Sequence, residues 1–289
     1  MASVLSGSPR GRRFAGRLGP NLVLLAAAIF FLAPLLTMAR FSFQSVPVIL
    51  LGRSTLFKRW SWGAITEAFH DPQFGPTLTL SLKLALGTVL ATLLLLLPTA
   101  IFVHLKLPKA RALVEFVTLL PYVVPPIALV AGVAGFFRPN ARWFLNSEYS
   151  LIPFYVVLAL PFTYRAIDAG IRAIDLRTLV DASRSLGATW LTTFWRVLIP
   201  NLTTAIVSAS FLTATVVLGE FTIANNLLRK TFPVFTLQYA ERSSQGGTAL
   251  ALLTLVGSTA LLGVFTLSTR RRARQRGDKV IVNAAESRA

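Results

Sequence analysis

The chain has 289 residues, 54% of them hydrophobic, with a mean hydropathy of +0.64, too apolar for a water-soluble domain of this size. A formal net charge of +18 would suit a nucleic-acid binder, yet no aromatic residues interleave the arginines of the basic tail, as base stacking would require. There is no cysteine, which excludes a disulfide framework and any cysteine-based metal site.

Runs of about twenty apolar residues recur, enough for a helix to cross a hydrocarbon core of about 30 Å at about 1.5 Å per residue. Six are read, at 21–39, 77–103, 113–137, 150–166, 201–222 and 248–269, the fourth being the shortest. Lipid cannot satisfy exposed backbone groups, so the expected fold class is an all-α membrane protein with six transmembrane helices. The expected organisation is a basic N-terminus over 1–20, a first helix with an outer segment over 21–76, a five-span core over 77–269 and a basic tail over 270–289.

In chain order, Arg10, Arg12, Arg13 and Arg17 precede the first apolar run. That run extends from Leu22 to Ala39 and ends at Arg40, long for a cleaved signal, so an uncleaved span is expected. Trp60 and Trp62 suit an interfacial belt. Lys83 falls one to two turns inside the second span, where it can snorkel to the interface or pair with Glu220. Arg111 and Glu115 are spaced for a solvated pair one helical turn apart. Pro121, Pro125 and Pro126 must kink or unwind the third span, while Gly132 and Gly135 permit close helix approach. His70 and His104 lie in different loops, and no metal site follows from them.

Beyond the fourth span, Ile167, Ile171, Ile174 and Leu179 form an apolar stripe at helical spacing. Asp168 with Arg165 or Arg172, and Asp175 with Arg172, suit a solvated helix. Gly187 marks a helix stop or a close backbone approach. Ala188 to Trp195 reads as a second short helix and Pro200 opens the next span, so the stretch should fold as a compact knob of two short helices.

The stretch from Asp181 to Pro200, DASRSLGATWLTTFWRVLIP, resembles the EAA loop of ABC-importer permeases. The family pattern is Glu-Ala-Ala, three residues, Gly, nine residues, then Ile-x-Leu-Pro. Asp181, Ala182 and Ser183 stand for the triplet, Gly187 follows in register, and Val197 to Pro200 closes the pattern without a gap. The resemblance implies a type I permease whose loop between spans four and five docks on a separate ATP-hydrolysing subunit. It assigns coupling to Asp181, Ala182, Ser183, Leu186, Gly187, Trp190 and Pro200, with Leu186 and Trp190 as apolar knobs. It also implies a second permease subunit, often a different chain, an extracytoplasmic solute-binding protein, and a setting in the lipid of a bacterial inner membrane. No cofactor is expected in the chain itself, because it has no P-loop and ATP must bind elsewhere. No catalytic constellation points to an enzyme, and no nucleic-acid partner is expected.

With both termini cytoplasmic, 19 of the 29 Lys and Arg residues fall inside, the direction that the positive-inside rule demands. Arg270, Arg271, Arg272, Arg274 and Arg276 would then anchor the last span at anionic headgroups. An ionisable group within a span is a functional candidate by default, which singles out Glu220. Glu220 and Asn225, with the kink residues Pro125 and Pro126, form the expected solute pathway. The solute expected from this set, and from the resemblance to spermidine/putrescine-type permeases, is a polyamine or related organic cation. Thiamine, phosphonate, sulfate and iron remain alternatives within the family. A secondary transporter is the alternative outside it, against which the loop argues, as does the lack of an internal repeat.

Overall fold

The computed structural model describes residues 9–46, 48–50, 52, 59–260 and 263. The expected basic tail, with its arginines at 270–276, and the end of the sixth span lie outside the described residues. Contacts divide the chain into two units, Met1–His70 with Tyr239–Gly257, and Asp71–Gln238 with Ser258–Ala289. Among the described residues every element is helical, and the only extended pairing is one bridge between Gln44 and Trp60.

In the first unit, α1 spans Pro9–Ser42, and its apolar part, Asn21–Ser42, buries none of its most hydrophobic stretch within the chain. Such a helix must be covered by lipid or by another protein. The chain then turns through the Gln44–Trp60 bridge into α2, Gly63–His70, and the Gln245 side chain donates to the Val46 carbonyl at 2.7 Å.

The second unit is built on α3, Phe74–Lys106. Its 33 residues make a helix of about 50 Å, longer than a hydrocarbon core. It is apolar all round, so hydrophobicity alone cannot choose its buried face. The buried face mixes small and hydroxyl side chains, Thr77, Ser81, Ala85, Thr88, Thr92 and Ala100, with Leu80, Leu84, Leu96, Leu97 and Ile101, while Leu82, Leu86, Leu90 and Leu94 are exposed. Lipid tails are as apolar as leucine, so membrane helices gain most where small residues let backbones approach.

Next come α4, Arg111–Val123, α5, Pro126–Asn140, and the short α6, Arg142–Asn146. The pair α4–α5 is bent by 87° between Val123 and Pro126. Val124 is held extended by the proline after it, and the prolines withhold donors that would continue the helix. The expected kink is therefore a sharp break. Gly132 and Gly135, expected to admit close neighbours, face open space. Close approach occurs instead at Gly170, where an added Cβ would fall 2.2 Å from the Ala205 Cβ.

The expected fourth span corresponds to α7, Leu151–Arg172, six residues longer at its C-terminal end than the expected 150–166. After it come α8, Leu176–Ser185, α9, Trp190–Thr193, a π-helical turn at Phe194–Leu198 and α10, Ile199–Asn201. Leu202 then leads into α11, Thr203–Gly219, across a 74° bend. The short α12, Thr222–Asn226, precedes α13, Phe232–Arg242, and a final helix over 244–260. Three helices are long and apolar enough to cross a membrane, or up to five if each bent pair is one span, among the described residues.

Two buried clusters fix the directions of the main helices. Leu80 and Leu84 of α3 pack with Leu151, Phe154 and Tyr155 of α7, whereas Leu97 and Ile101 pack with Tyr164, Ile167 and Ile171. α3 and α7 therefore run parallel. α11 runs opposite to them, because Ala209 joins the second group and Val217 the first. A buried hydrogen bond of 2.7 Å between Thr163 and Thr213 ties α7 to α11 at mid-height. The bundle thus has a loop end, where α7 passes into α8, and a far end, where α3 and α7 begin.

Candidate functional site

At the loop end one carboxylate gathers two arginines and a histidine. Asp168 on α7 is 2% exposed. Arg111, at the start of α4, donates Nε–H to Oδ1 at 2.7 Å and Nη2–H to Oδ2 at 3.1 Å, a bidentate pair. Arg172, one turn along α7, also donates to Oδ2, and His104 of α3 brings Nε2 within 3.2 Å of Oδ1. Glu115 pairs instead with Arg165 at 3.4 Å. Two expectations are corrected here. Arg111 and Glu115 do not pair with each other, and Asp168 is not on a solvated face. Packing brings α4 alongside α7, and a buried bidentate partner outweighs a solvated neighbour one turn away.

The expected stripe from Ile167 to Leu179 is also broken. α7 stops at Arg172, so Ile167 and Ile171 are buried on α7 while Leu176 and Val180, not Ile174 and Leu179, are buried around α8. Asp175 does not pair with Arg172. Its carboxylate caps α8, accepting from the Thr178 hydroxyl at 2.7 Å and the Thr178 amide at 3.2 Å. Those hydrogen bonds, the hydroxyl's first, hold the carboxyl below the usual carboxylate range.

Gly187 has φ +80°, so it ends α8 by turning left-handed, with open space where a Cβ would be. Beyond it Thr189 caps α9 through the Thr192 amide at 3.3 Å. The second helix is not an isolated short one: it continues through the π-turn to Asn201 and carries Pro200 inside it. Ser183 is buried, donates to the Val180 carbonyl at 2.9 Å and accepts from the Thr193 hydroxyl at 2.8 Å, which clamps α8 against α9.

The remaining residues assigned to coupling lie on the surface of this clamp. Asp181, Ala182, Gly187 and Pro200 are exposed, Leu186 is 89% exposed, and Trp190 is 45% exposed. Leu191 and Trp195 are exposed beside them at 67% and 57%. These two escaped the sequence reading, although their i, i+4 spacing from each other within the helix was a usable signal. Contiguous exposed apolar side chains on a polar loop mark a contact surface.

The residues expected to line a pathway are less gathered. Glu220 does not pair with Lys83. It follows α11, and its two carboxylate oxygens accept from the amides of Ile223 at 2.7 Å and Ala224 at 3.3 Å, capping α12. The buried Tyr155 lies beside it. Asn225 is exposed on α12, which packs on α5, and Pro125 is exposed and Pro126 half-buried at the bend that begins α5. None of the four lines the far-end cavity of about 630 Å³, whose wall includes Gln73, Thr79, Lys83, Glu148, Tyr149 and Lys230. No group of three or more metal-ligating side chains occurs among the described residues.

The sequence profile described as "Binding-protein-dependent transport system inner membrane component" matches residues 97–274, which include the whole clamp. The chain belongs to this family. Among relatives of the permease, the Fe(3+)-transport system permease protein FbpB 2 of Haemophilus influenzae is 29% identical over 140 residues, covering 48% of this chain and 28% of that protein. The probable sulfate transport system permease protein cysT of Marchantia polymorpha is 26% identical over 216 residues, covering 68% and 72%. The spermidine/putrescine transport system permease protein PotB of Haemophilus influenzae is 25% identical over 223 residues, covering 72% and 71%. The permease thus spans little over a quarter of the iron-system relative and under three quarters of the other two. Its fold matches a chain in the crystal structure of a bacterial ABC transporter involved in the import of the acidic polysaccharide alginate. That match has a TM-score of 0.62 and 17% identity, covering 93% of this chain and 99% of the other.

Proposed function

We propose that the permease forms half of the solute pathway of an ATP-driven importer and is driven through its 181–200 loop. The observation that carries this reading is the clamped pair α8–α9 with Leu186, Trp190, Leu191 and Trp195 exposed on it. An ATP-hydrolysing subunit docks there, a second permease subunit completes the pathway, and an extracytoplasmic binding protein delivers solute at the far end. The loop and both termini face the cytoplasm in this reading, as the inward excess of Lys and Arg supports. ATP binding would then bias a two-state assembly, with the loop as the element on which that bias acts.

The solute is small and charged. A polyamine or related organic cation is supported by the PotB relatives, and by Glu220 next to the far end of α11. That support from Glu220 is reduced because its oxygens already accept two backbone amides. The sulfate and iron relatives keep anions and metal complexes open.

The test is uptake by the complex of this chain with its ATPase, second permease and binding protein in proteoliposomes, with and without internal ATP. Gly187→Val forces a β-branched side chain into left-handed backbone, a strain of about 1–2 kcal/mol. It should cut ATP-dependent uptake at least about tenfold while membrane insertion is retained. Uptake that needs no ATP would make the permease a secondary transporter. Wild-type uptake by Gly187→Val would remove the loop from coupling.

A further inference from the structure

Lys83 sits about 14 Å along α3 from its first residue, inside a span otherwise apolar. A charge at that depth is costly unless it faces a partner or water. Lys83 has no acidic partner within 4.0 Å among the described residues, and neither does Lys230. Both line the same far-end cavity of about 630 Å³. They come from different elements, α3 and the segment between α12 and α13, so their meeting is a product of the fold. Lys83 is one turn from Thr79 on the face of α3 that forms the cavity wall.

The rest of the wall suits an anion. Thr79 and Tyr149 bring hydroxyl donors, and Glu148 is the single carboxylate against two ammonium groups. The neighbouring Arg229 is not part of the wall, and its guanidinium donates to the Leu145 carbonyl. Two fixed positive charges with one negative, in a cleft walled partly by Pro72, Pro76 and Leu80, concentrate anions and repel cations.

We propose that this cavity is the anion-accepting mouth of the permease, through which a small solute bearing a sulfate-, phosphate- or carboxylate-type oxyanion enters. The placement of the mouth on the external side rests on the importer reading above. The charge selectivity does not.

The absence of native cysteine makes the test direct. Thr79→Cys, at an exposed wall position, supplies this chain's only thiol, and its labelling is read on this chain after separation from the partner subunits, against the complex without the substitution. In the detergent-purified complex its modification rate is measured with an anionic sulfonatoethyl and a cationic trimethylammonioethyl methanethiosulfonate. Each rate is divided by that of the same reagent with free 2-mercaptoethanol. The anionic reagent should be favoured about tenfold at low salt, and less as salt rises. Adding Lys83→Gln and Lys230→Gln should bring the ratio to about one, while Lys83→Arg and Lys230→Arg should keep it. A ratio of one or below in the Thr79→Cys protein overturns the proposal. So does a ratio unchanged by the glutamine pair, or the loss of the second permease or binding protein from the complex in that pair, which would make the lysines contacts for a partner's acidic group. Because labelling needs no ATP, failed ATP-dependent uptake with anion preference intact would sink the importer reading alone. In intact cells, labelling only after permeabilisation would overturn the external placement.

Discussion

The two ends of the helical bundle treat charge in opposite ways. At the loop end, one buried carboxylate, Asp168, pairs with Arg111 and Arg172 and lies 3.2 Å from the His104 ring, and so joins α3, α4 and α7. At the far end, Lys83 and Lys230 face a cavity with no acidic partner within 4.0 Å among the described residues. Buried, paired charges hold helices in one arrangement, because separating them exposes each to an uncompensated desolvation cost. Solvated, unpaired charges hold nothing together and remain free to meet a ligand. The loop end therefore holds α3, α4 and α7 in one arrangement, while the far end leaves two ammonium groups facing a cavity.

The comparison breaks most readily at Asp168. Asp168→Asn leaves two arginines, 31% and 54% exposed, and a histidine around a neutral amide, and should destabilise the permease by about 2–3 kcal/mol. The measurement is thermal unfolding of the purified complex in detergent, and a loss below about 1 kcal/mol would mean that the cluster does not join the helices. Next is Gly170→Ala near the same end. Its Cβ would sit 2.2 Å from that of Ala205, so α7 and α11 must separate, at about 1–3 kcal/mol for overpacking. At the far end the expectation reverses: Lys83→Gln should change stability by no more than about 0.5 kcal/mol in the same assay. A large loss there would show that Lys83 is a structural anchor.

The smallest effect belongs to Asp175. Its carboxyl titrates below its unfolded range, so the α8 cap is fully present above the unfolded value and is lost as pH falls through the lower, folded one. Hydrogen exchange of the Thr178 and Leu179 amides should therefore be flat from neutral pH to about pH 5, after correction for the intrinsic rate, and protection should fall below about pH 4. Asp175→Asn should remove that dependence while keeping most of the cap.

The apolar runs were legible because a lipid-crossing helix needs only length and lack of charge, which are local properties. The break near Pro125 and the helix stop at Gly187 were legible for the same reason, since each follows from the backbone chemistry of one residue. The in-register stretch Asp181–Pro200 carried the family. Charge partners were not legible. Arg111 and Glu115 have good local spacing, yet their partners lie 57 and 50 residues away on α7. Glu220 read as an intramembrane acid that could pair with Lys83, and the fold instead offers it two amides.

Taken by itself, the sequence determined the class of the protein, the position of its main apolar helices, the break near Pro125 and the loop that carries the family pattern. All of these depend on residues adjacent in the chain. Only the tertiary structure decided which small residues face inward on α3, that Gly170 rather than Gly132 admits a neighbour, that Asp168 gathers its cations, and that Lys83 meets Lys230 across a cavity. Those outcomes depend on which helices become neighbours, and an apolar helix in lipid carries little local pattern to say so.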